Sequence, residues 1–149
     1  MTATDPMAEW PTGRLLSTAA RLVEHAWAET LEKQGLTHAG LIALHLLDSE
    51  AMSQTELARR ARVENQTMSR TIERLEREGF VTRAPDAGDR RRQVVTRTDA
   101  GSRVFARTRT LEAEMFPPLG DPEVLRTTLL EIIRSSSDAR WSDRSEPDA

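Results

Sequence analysis

The chain has 149 residues, a formal net charge of −3, 38% hydrophobic residues and 30% charged residues. That length suits one domain with a sizeable core. The absence of cysteine excludes a disulfide framework and a thiol redox switch. No apolar run approaches the roughly 20 residues that span a bilayer, and residues 1–10 lack the apolar core of a signal peptide. We therefore expect a cytoplasmic protein that does not contact a membrane.

Positive charge is concentrated in one segment of the chain. Residues 59–92 hold ten arginines and six acids, a local charge of +4, so the rest of the chain carries −7. A basic segment in an acidic chain is typical of a surface that faces phosphate. A solvated helix face gives the same pattern, and charge alone does not separate the two interpretations.

The first elements are predicted to be helical. Residues 1–10 resemble a flexible tail, and apolar positions then recur at helical spacing from Leu15. Gly35 is placed to end this helix as a C-cap. Thr37 is the expected N-cap of a second helix.

Two short helices separated by a tight turn follow. Ser53 and Glu56 have the spacing of a capping box, in which each side chain satisfies a free backbone N–H. They open a third helix over Thr55–Arg60. A fourth helix begins at residue 64 or 65 and ends at Gly79. The expected inward side of this fourth helix carries Met68, Ile72 and Leu75.

The remaining elements are a hairpin and two helices. Residues 80–83 and 93–97 are β-prone and are joined by turn residues, which predicts a β-hairpin. Thr98 caps a fifth helix, which Pro117-Pro118 breaks. Asp121, followed by a proline at the first helical position, starts a sixth helix that runs through residue 133.

The polar face of the fourth helix is the first candidate functional site. In a helix-turn-helix protein the second helix of the pair lies in the major groove, and its N-terminal residues meet base edges. Gln pairs with adenine, Arg with guanine, and Ser or Thr with either; Asn65 and Thr67 can equally bind phosphate. An ordinary solvent-exposed helix is the alternative. The expected contacts to double-stranded DNA on the helices are Ser53, Asn65, Gln66, Thr67, Ser69, Arg70 and Arg74.

The tip of the hairpin is the second candidate site, with the sequence Asp89-Arg90-Arg91-Arg92. Arginine at such a tip reaches the minor groove, where narrow A·T segments concentrate negative potential. In strand geometry the three arginines alternate sides, so only one or two of them point at the groove. We expect Arg91 in the groove, Arg90 near phosphate, and Asp89 orienting one of them through a charge-assisted hydrogen bond. A soluble hairpin tip without a ligand is the alternative.

At this point the chain resembles the multiple-antibiotic-resistance regulator (MarR) family of bacterial winged-helix repressors. The resemblance covers residues 36–101, and the flanking helices extend it to nearly the whole chain. The segments that carry the resemblance are SQTELA at Ser53–Ala58, QTMSRTIERLEREGFV at Gln66–Val81, DRR at Asp89–Arg91 and TDAG at Thr98–Gly101. The family typically shows Asp-x-Arg at the wing and Leu-Thr-x-x-Gly at the start of the next helix.

One position departs from the family pattern. Arg97 stands where the family usually has an apolar residue, generally Leu, and Gln93 shares its side of the strand. Three explanations are open for Arg97. It lies over the surface with its stem packed, it pairs with an acid, or the predicted strand register is off.

The resemblance implies a mainly α fold with a small β-hairpin wing, in which dimerisation helices flank a winged helix-turn-helix domain. It also implies a homodimer, for which an intrachain core role is the alternative at each interface residue. The expected interface residues are Leu15, Leu16, Leu125, Leu129 and Ile132. The expected organisation is a tail (1–10), an N-terminal dimerisation helix (11–35), the DNA-binding domain (36–98), two C-terminal dimerisation helices (99–134) and a second flexible tail (135–149).

Family members often respond to small aromatic or phenolic compounds that bind where the dimerisation helices meet the DNA-binding lobe. Plain core packing is the alternative for these positions. The corresponding residues here are Trp27, Leu31, Leu41, Leu44, His45, Phe105 and Arg109. No cofactor is expected, and the three histidines, His25, His38 and His45, are not spaced as a metal site.

The expected function is therefore that of a DNA-binding transcriptional regulator, a repressor, that binds a pseudo-palindromic operator as a homodimer and is released by a small aromatic effector. A ligand-independent DNA-binding protein and a winged-helix protein–protein interaction module are the alternatives. An enzyme is not expected, because the sequence has no Gly-rich phosphate loop, no nucleophile elbow and no cluster that suggests paired catalytic carboxylates.

Overall fold

The computed structural model describes residues 5–115 and 120–142 of the chain. It divides into two units, Met1–Met115 and Phe116–Ala149, which are treated separately below. The predicted break at Pro117-Pro118 lies outside the described residues.

Six helices and three short strands make up the described part. The elements in chain order are α1 (Thr12–Lys33), α2 (His38–Leu46), β1 (Met52–Ser53), α3 (Gln54–Ala61), α4 (Asn65–Arg77), β2 (Val81–Pro85), β3 (Gln93–Arg97), α5 (Asp99–Met115) and α6 (Pro122–Ser142). This order confirms the predicted fold class, a mainly α winged helix-turn-helix with a small sheet.

Side-chain caps begin the helices where the sequence predicts them. The Thr37 hydroxyl accepts the Gly40 N–H at 3.0 Å, and the Ser53 hydroxyl accepts the Glu56 N–H at 3.2 Å. The reciprocal half of the capping box was wrong, because the Glu56 carboxylate accepts from the Arg59 and Arg60 side chains at 2.7 and 2.8 Å. An arginine side chain is a stronger, charged donor than a backbone N–H, so it takes the carboxylate.

The helix-turn-helix pair contributes much of the core of the first unit. Met68 and Ile72 of α4 are fully buried and Leu75 is 2% exposed, as their spacing predicts, and they pack in one cluster with Leu57 of α3. Burying each of these four side chains stabilises the fold by about 1.5–3 kcal/mol. This packing holds α3 and α4 together and leaves the polar side of α4 outward.

The sheet has three strands in the order β1-β3-β2, and both pairings are antiparallel. Val81 pairs with Arg97 and Pro85 with Gln93, so the hairpin predicted from the sequence forms. The two-residue strand β1, in which Met52 pairs with Val95, was not predicted. A segment that short has no periodicity to read.

The start of α5 is joined to the end of α4 through Thr98. Its backbone N–H donates to the Phe80 carbonyl at 3.0 Å, and its hydroxyl donates to the Gly79 carbonyl at 2.7 Å. The same hydroxyl caps α5 by accepting the Gly101 N–H at 3.1 Å. A Cβ at Gly101 would lie 2.2 Å from the Phe80 carbonyl oxygen, so only glycine fits this approach.

Arg97 of β3 pairs with an acid, which is one of the three explanations left open by the sequence. Its guanidinium donates to the Asp48 carboxylate at 2.5 Å and to the Leu44 carbonyl at 3.1 Å, and it lies 5.4 Å from the centre of the Phe105 ring. The Arg97 side chain is 11% exposed. An arginine can therefore replace the apolar residue expected at this position, because α2 and the loop after it supply hydrogen-bond acceptors for its guanidinium.

The described part of the second unit is α6. Asp121 caps it as predicted, with its carboxylate accepting the Glu123 N–H at 3.0 Å. The predicted end of α6 at residue 133 was wrong, because helical backbone continues to Ser142. Of the flexible tail predicted over 135–149, residues 135–142 are thus helical, and residues 143–149 lie outside the described residues. The polar composition after Ile133 suggested disorder, but a helix satisfies its own backbone hydrogen bonds whatever its side chains are.

Candidate nucleic-acid interface

The N-terminus of α4 is open to an anion. Glu64, at the N-cap, makes no side-chain cap hydrogen bond, and no acid lies in the first turn of the helix. The first N–H groups of a helix have no partner within it, and the helix dipole places positive charge at the same end. In α2, α3 and α5 a hydroxyl takes up one of these donors. The N-terminus of α4 can therefore receive a phosphate group.

The predicted contact residues of α4 share its outward face. Asn65, Gln66, Thr67 and Arg70 are exposed, and Ser69 is half-buried. The opposite face of the same helix is buried in the core. These side chains therefore project from a helix held in place by packing, which is what reading base edges requires.

Two residues predicted to contact DNA, Ser53 and Arg74, instead make hydrogen bonds within the chain. Ser53 is 8% exposed, and its hydroxyl caps α3. Arg74 donates to both carboxylate oxygens of Glu32 in α1 at 3.3 Å, and its side chain is 30% exposed. The structure therefore does not bring these two residues together with the exposed α4 set.

The wing tip is a turn, and this corrects the strand geometry expected for its three arginines. Arg90–Arg92 precede β3, and the Arg92 N–H donates to the Asp89 carbonyl at 3.0 Å. The Asp89 carboxylate accepts the backbone N–H of Arg91 at 3.0 Å rather than holding a guanidinium. This local bond is the one that Asp side chains make in turns. All four residues are exposed, so the arginines are not confined to alternate sides of a strand.

Ion pairing separates the arginines of the basic segment into two groups. In the first, Arg59 and Arg60 pair with Glu56, and Arg83 pairs with Glu76 at 3.0 Å. Arg74, paired with Glu32, also belongs to this group. The hydrogen bonds from Arg59 and then Arg60 lower the pKa of Glu56 to about 2. The hydrogen bond between Arg83 and Glu76 lowers the pKa of the carboxyl group and raises that of the guanidinium.

The second group makes no ion pair with any residue that the structure describes. It consists of Arg62, Arg70, Arg77, Arg90, Arg91 and Arg92. Arg70 belongs to the outward face of α4, and three others form the wing tip. The positive charge left without an internal partner thus includes both sites that the sequence assigns to DNA.

The residues predicted to line an effector crevice fall into two sets. Leu31 and Leu44 are fully buried and Trp27 is 8% exposed, and all three belong to the core cluster. His45 is exposed and its ring lies 5.5 Å from that of the half-buried Phe105. Leu41 is half-buried and Arg109 is exposed. The sequence did not predict that Arg97 contacts Phe105. Leu44 and Asp48, which hold the Arg97 guanidinium in this position, are about 50 residues away in the chain.

The predicted dimer residues are exposed in the single chain. On α1, Leu15 and Leu16 are 38% and 37% exposed. On α6, Leu125, Leu129 and Ile132 are 40%, 38% and 39% exposed. Each helix thus carries large apolar side chains that its own unit does not cover.

Other classes of site have no counterpart in the described residues. Within 5–115 and 120–142, no three His, Asp or Glu side chains are grouped so as to hold a metal ion. No described helix combines the length and the apolar character needed to cross a bilayer.

Comparison with known proteins gives consistent matches. Residues 40–92 match the MarR family. The transcriptional activatory protein BadR of Rhodopseudomonas palustris is 33% identical over 94 residues, which cover 60% of this chain and 54% of BadR. The match to this curated relative thus spans about half of its length.

Two solved structures with bound DNA have the same fold. The transcriptional repressor CouR, bound to a 23-mer DNA duplex, is 25% identical with a TM-score of 0.72, covering 91% of this chain and 99% of CouR. The Mycobacterium tuberculosis regulator MosR, in complex with DNA, is 25% identical with a TM-score of 0.65, covering 87% and 98%. These proteins are transcriptional regulators, and residues 40–92 of this chain carry the winged-helix domain that matches the MarR family.

Proposed function

We propose that the protein is a sequence-specific double-stranded DNA-binding regulator that acts in the cytoplasm as a homodimer. The observation that carries the proposal is the α4 surface, with an open helix N-terminus, exposed hydrogen-bonding side chains and an unpaired Arg70. The DNA-bound relatives CouR and MosR support it. A protein-interaction surface would more often carry apolar residues at its centre.

In the proposed complex α4 enters the major groove. Arg70 reads guanine through its two parallel N–H groups, and Gln66 reads adenine. Asn65 and Thr67 hold a phosphate together with the free backbone N–H groups of the first turn. Ser53 and Arg74 stay outside the contact set, because the first is buried and the second is paired with Glu32.

The wing supplies the second contact. The hydrogen bond within the turn fixes the backbone of Asp89–Arg92. The three exposed guanidinium groups then place positive charge next to the minor groove. Arg91 enters the minor groove, where arginine gains most from a narrow A·T segment. Arg90 and Arg92 contact phosphate on either side.

Dimerisation presents the α4 surface twice. The exposed leucines and isoleucines of α1 and α6 gain about 25 cal/mol for each Å² of apolar surface that a second copy covers. A twofold dimer then binds a pseudo-palindrome whose half-sites lie about 10 base pairs apart, one turn of the duplex. Binding across a promoter excludes other proteins from it, so we propose repression, as in CouR.

A small aromatic effector is the regulatory part of the proposal. The edge formed by the His45 and Phe105 rings, 5.5 Å apart, and by Arg109, four residues after Phe105 on α5, offers rings and a cation to an aromatic acid. Such a ligand releases DNA if it binds the DNA-incompetent conformation better than the competent one. A regulator without an effector is the alternative, in which these residues serve only as packing.

The DNA contacts are tested by selecting an operator from random duplexes and measuring affinity base by base. Changing Arg70 to Ala should reduce discrimination by about 1–3 kcal/mol at one base pair, whereas equal weakening on every sequence would reassign Arg70 to phosphate. Changing Arg91 to Ala should weaken binding and reduce the salt slope by about 1. An unchanged slope would remove the wing from the contacts.

The matched control is Arg126→Ala, which removes an exposed arginine of α6 outside the proposed surface. It should leave both the affinity and the salt slope as they are. A chain that is monomeric and does not bind duplex DNA in dilute salt would refute the proposed function.

A further inference from the structure

A cleft separate from the DNA-binding surface lies in the first unit. It is bounded by the end of α1, the residue before β2 and the first three turns of α5, and its volume is about 250 Å³. Its main lining residues are Lys33, Gln34, Phe80, Arg103, Val104 and Arg107.

Three of the lining side chains are cations, and none of them forms an ion pair within the described residues. Arg107 donates to the neutral side chain of Gln34 at 3.3 Å. Arg103 and Arg107 are four residues apart on α5, a spacing at which like charges destabilise a helix. Together with Lys33, the chain's only lysine, they place three positive charges around one opening.

Nearby acids do not neutralise this cluster. Glu32, next to Lys33 in the chain, pairs with Arg74. The Glu78 carboxylate lies against the backbone of Gly35, where it would be 2.9 Å from an added Cβ. Asp99 is four residues before Arg103 and makes no ion pair among the described residues. No carboxylate is among the residues that line the cleft.

The cleft also has an apolar side. Val104 is 8% exposed and Phe80 is half-buried, so both lie at its inner wall. Its volume is below the roughly 300–1,000 Å³ of pockets for drug-sized ligands. The space suits a compact body of about one ring, with its charged groups turned toward the cations at the rim.

We propose that this cleft binds a small organic anion that carries at least two negative charges on a compact apolar body. Two guanidinium groups grip carboxylate or phosphate oxygens through paired N–H donors, Lys33 adds a third charge, and Phe80 and Val104 contact the apolar body. The site uses none of the residues proposed to contact DNA, and it shares none with the edge formed by His45, Phe105 and Arg109.

The test is calorimetric titration of the full chain, without DNA, using phthalate as the probe. Phthalate has two carboxylates on one ring, benzoate has one, and inorganic phosphate has charge without an apolar body. Phthalate should bind more tightly than either. The double variant R103Q/R107Q should weaken phthalate binding by about tenfold or more, because it removes two charge-assisted contacts. Both residues are exposed, so the variant should keep the wild-type circular dichroism spectrum.

The control is R21Q, which changes an exposed arginine of α1 outside the cleft and should bind phthalate as the wild type does. If R109Q rather than R103Q/R107Q abolishes phthalate binding, the ligand occupies the edge formed by His45, Phe105 and Arg109, and the proposal fails. Inorganic phosphate binding as tightly as phthalate would show a simple anion site and would also overturn it. Absence of phthalate binding at millimolar concentration has the same consequence, and none of these results bears on DNA binding.

Discussion

Gly101 offers a direct test of how α5 meets the end of α4. An alanine there places its Cβ 2.2 Å from the Phe80 carbonyl oxygen and 3.0 Å from Cγ of Arg97. A carbon–oxygen contact that short is not possible, so either α5 or the Phe80 carbonyl has to move. The two hydrogen bonds that Thr98 makes to Gly79 and Phe80 join these segments, and both are strained by such a movement.

The expected cost of Gly101→Ala follows from three contributions. Overpacking costs about 1–3 kcal/mol, and loss of two hydrogen bonds costs about 0.5–1.5 kcal/mol each. The higher helix propensity of alanine returns about 1 kcal/mol. We therefore expect the free energy of unfolding to fall by about 1–5 kcal/mol.

The assay is urea denaturation followed by circular dichroism, at one fixed chain concentration because the stability of the proposed dimer depends on that concentration. Gly13→Ala is the matched control: it is also a glycine in a helix, and its added Cβ would meet nothing within 4 Å. This control should leave stability unchanged or raise it by up to about 1 kcal/mol. A Gly101→Ala protein as stable as the Gly13→Ala protein would refute the close approach of α5 to Phe80.

Four further predictions concern other parts of the chain. Arg62 has φ 56° and ψ 44°, a left-handed conformation that strains a residue with a Cβ. Arg62→Gly should therefore raise the free energy of unfolding, measured by urea denaturation, by about 0.5–1 kcal/mol, and a lower value would contradict this. Arg97→Ala should cost about 1–3 kcal/mol, and in that background Asp48→Ala should cost nothing more, which a double-mutant cycle measures. The folded-state pKa of Glu56, about 2 against an ordinary 4.5, stabilises the fold above pH 4.5, and this contribution is lost as the pH falls toward 2. NMR titration should therefore give a midpoint for this carboxyl near 2, and a midpoint near 4.5 would exclude the pairing with two arginines. Leu129→Glu should shift the proposed homodimer toward monomer in light scattering, and an unchanged mass would exclude this face of α6 from the proposed interface.

Features that depend on nearby residues were predictable from the sequence. Thr37, Ser53 and Thr98 each accept an N–H three residues ahead, so short spacings were enough to place the caps. The buried side of α4 follows from spacings of three and four residues between Met68, Ile72 and Leu75. The order of helices and hairpin was therefore predictable from the sequence.

Features that depend on distant partners were not predictable. Arg97 finds acceptors 49 and 53 residues away, and Arg74 finds Glu32 at a separation of 42. The cations of the cleft come from the end of α1 and the start of α5, which the chain brings together only on folding. Ser53 was predicted to contact DNA, but it belongs to strand β1, its hydroxyl caps α3, and it is buried.

The two hydrogen bonds from Thr98 to the segment after α4 have a mechanical consequence. Both carbonyl groups, of Gly79 and Phe80, accept from one residue, and Gly101 lets the next helix approach without a spacer. A tilt of α5 would therefore move the segment that follows α4 through the Thr98 hydrogen bonds. In the proposed complex, the angle of α4 in the groove would then depend on a helix that need not touch the duplex.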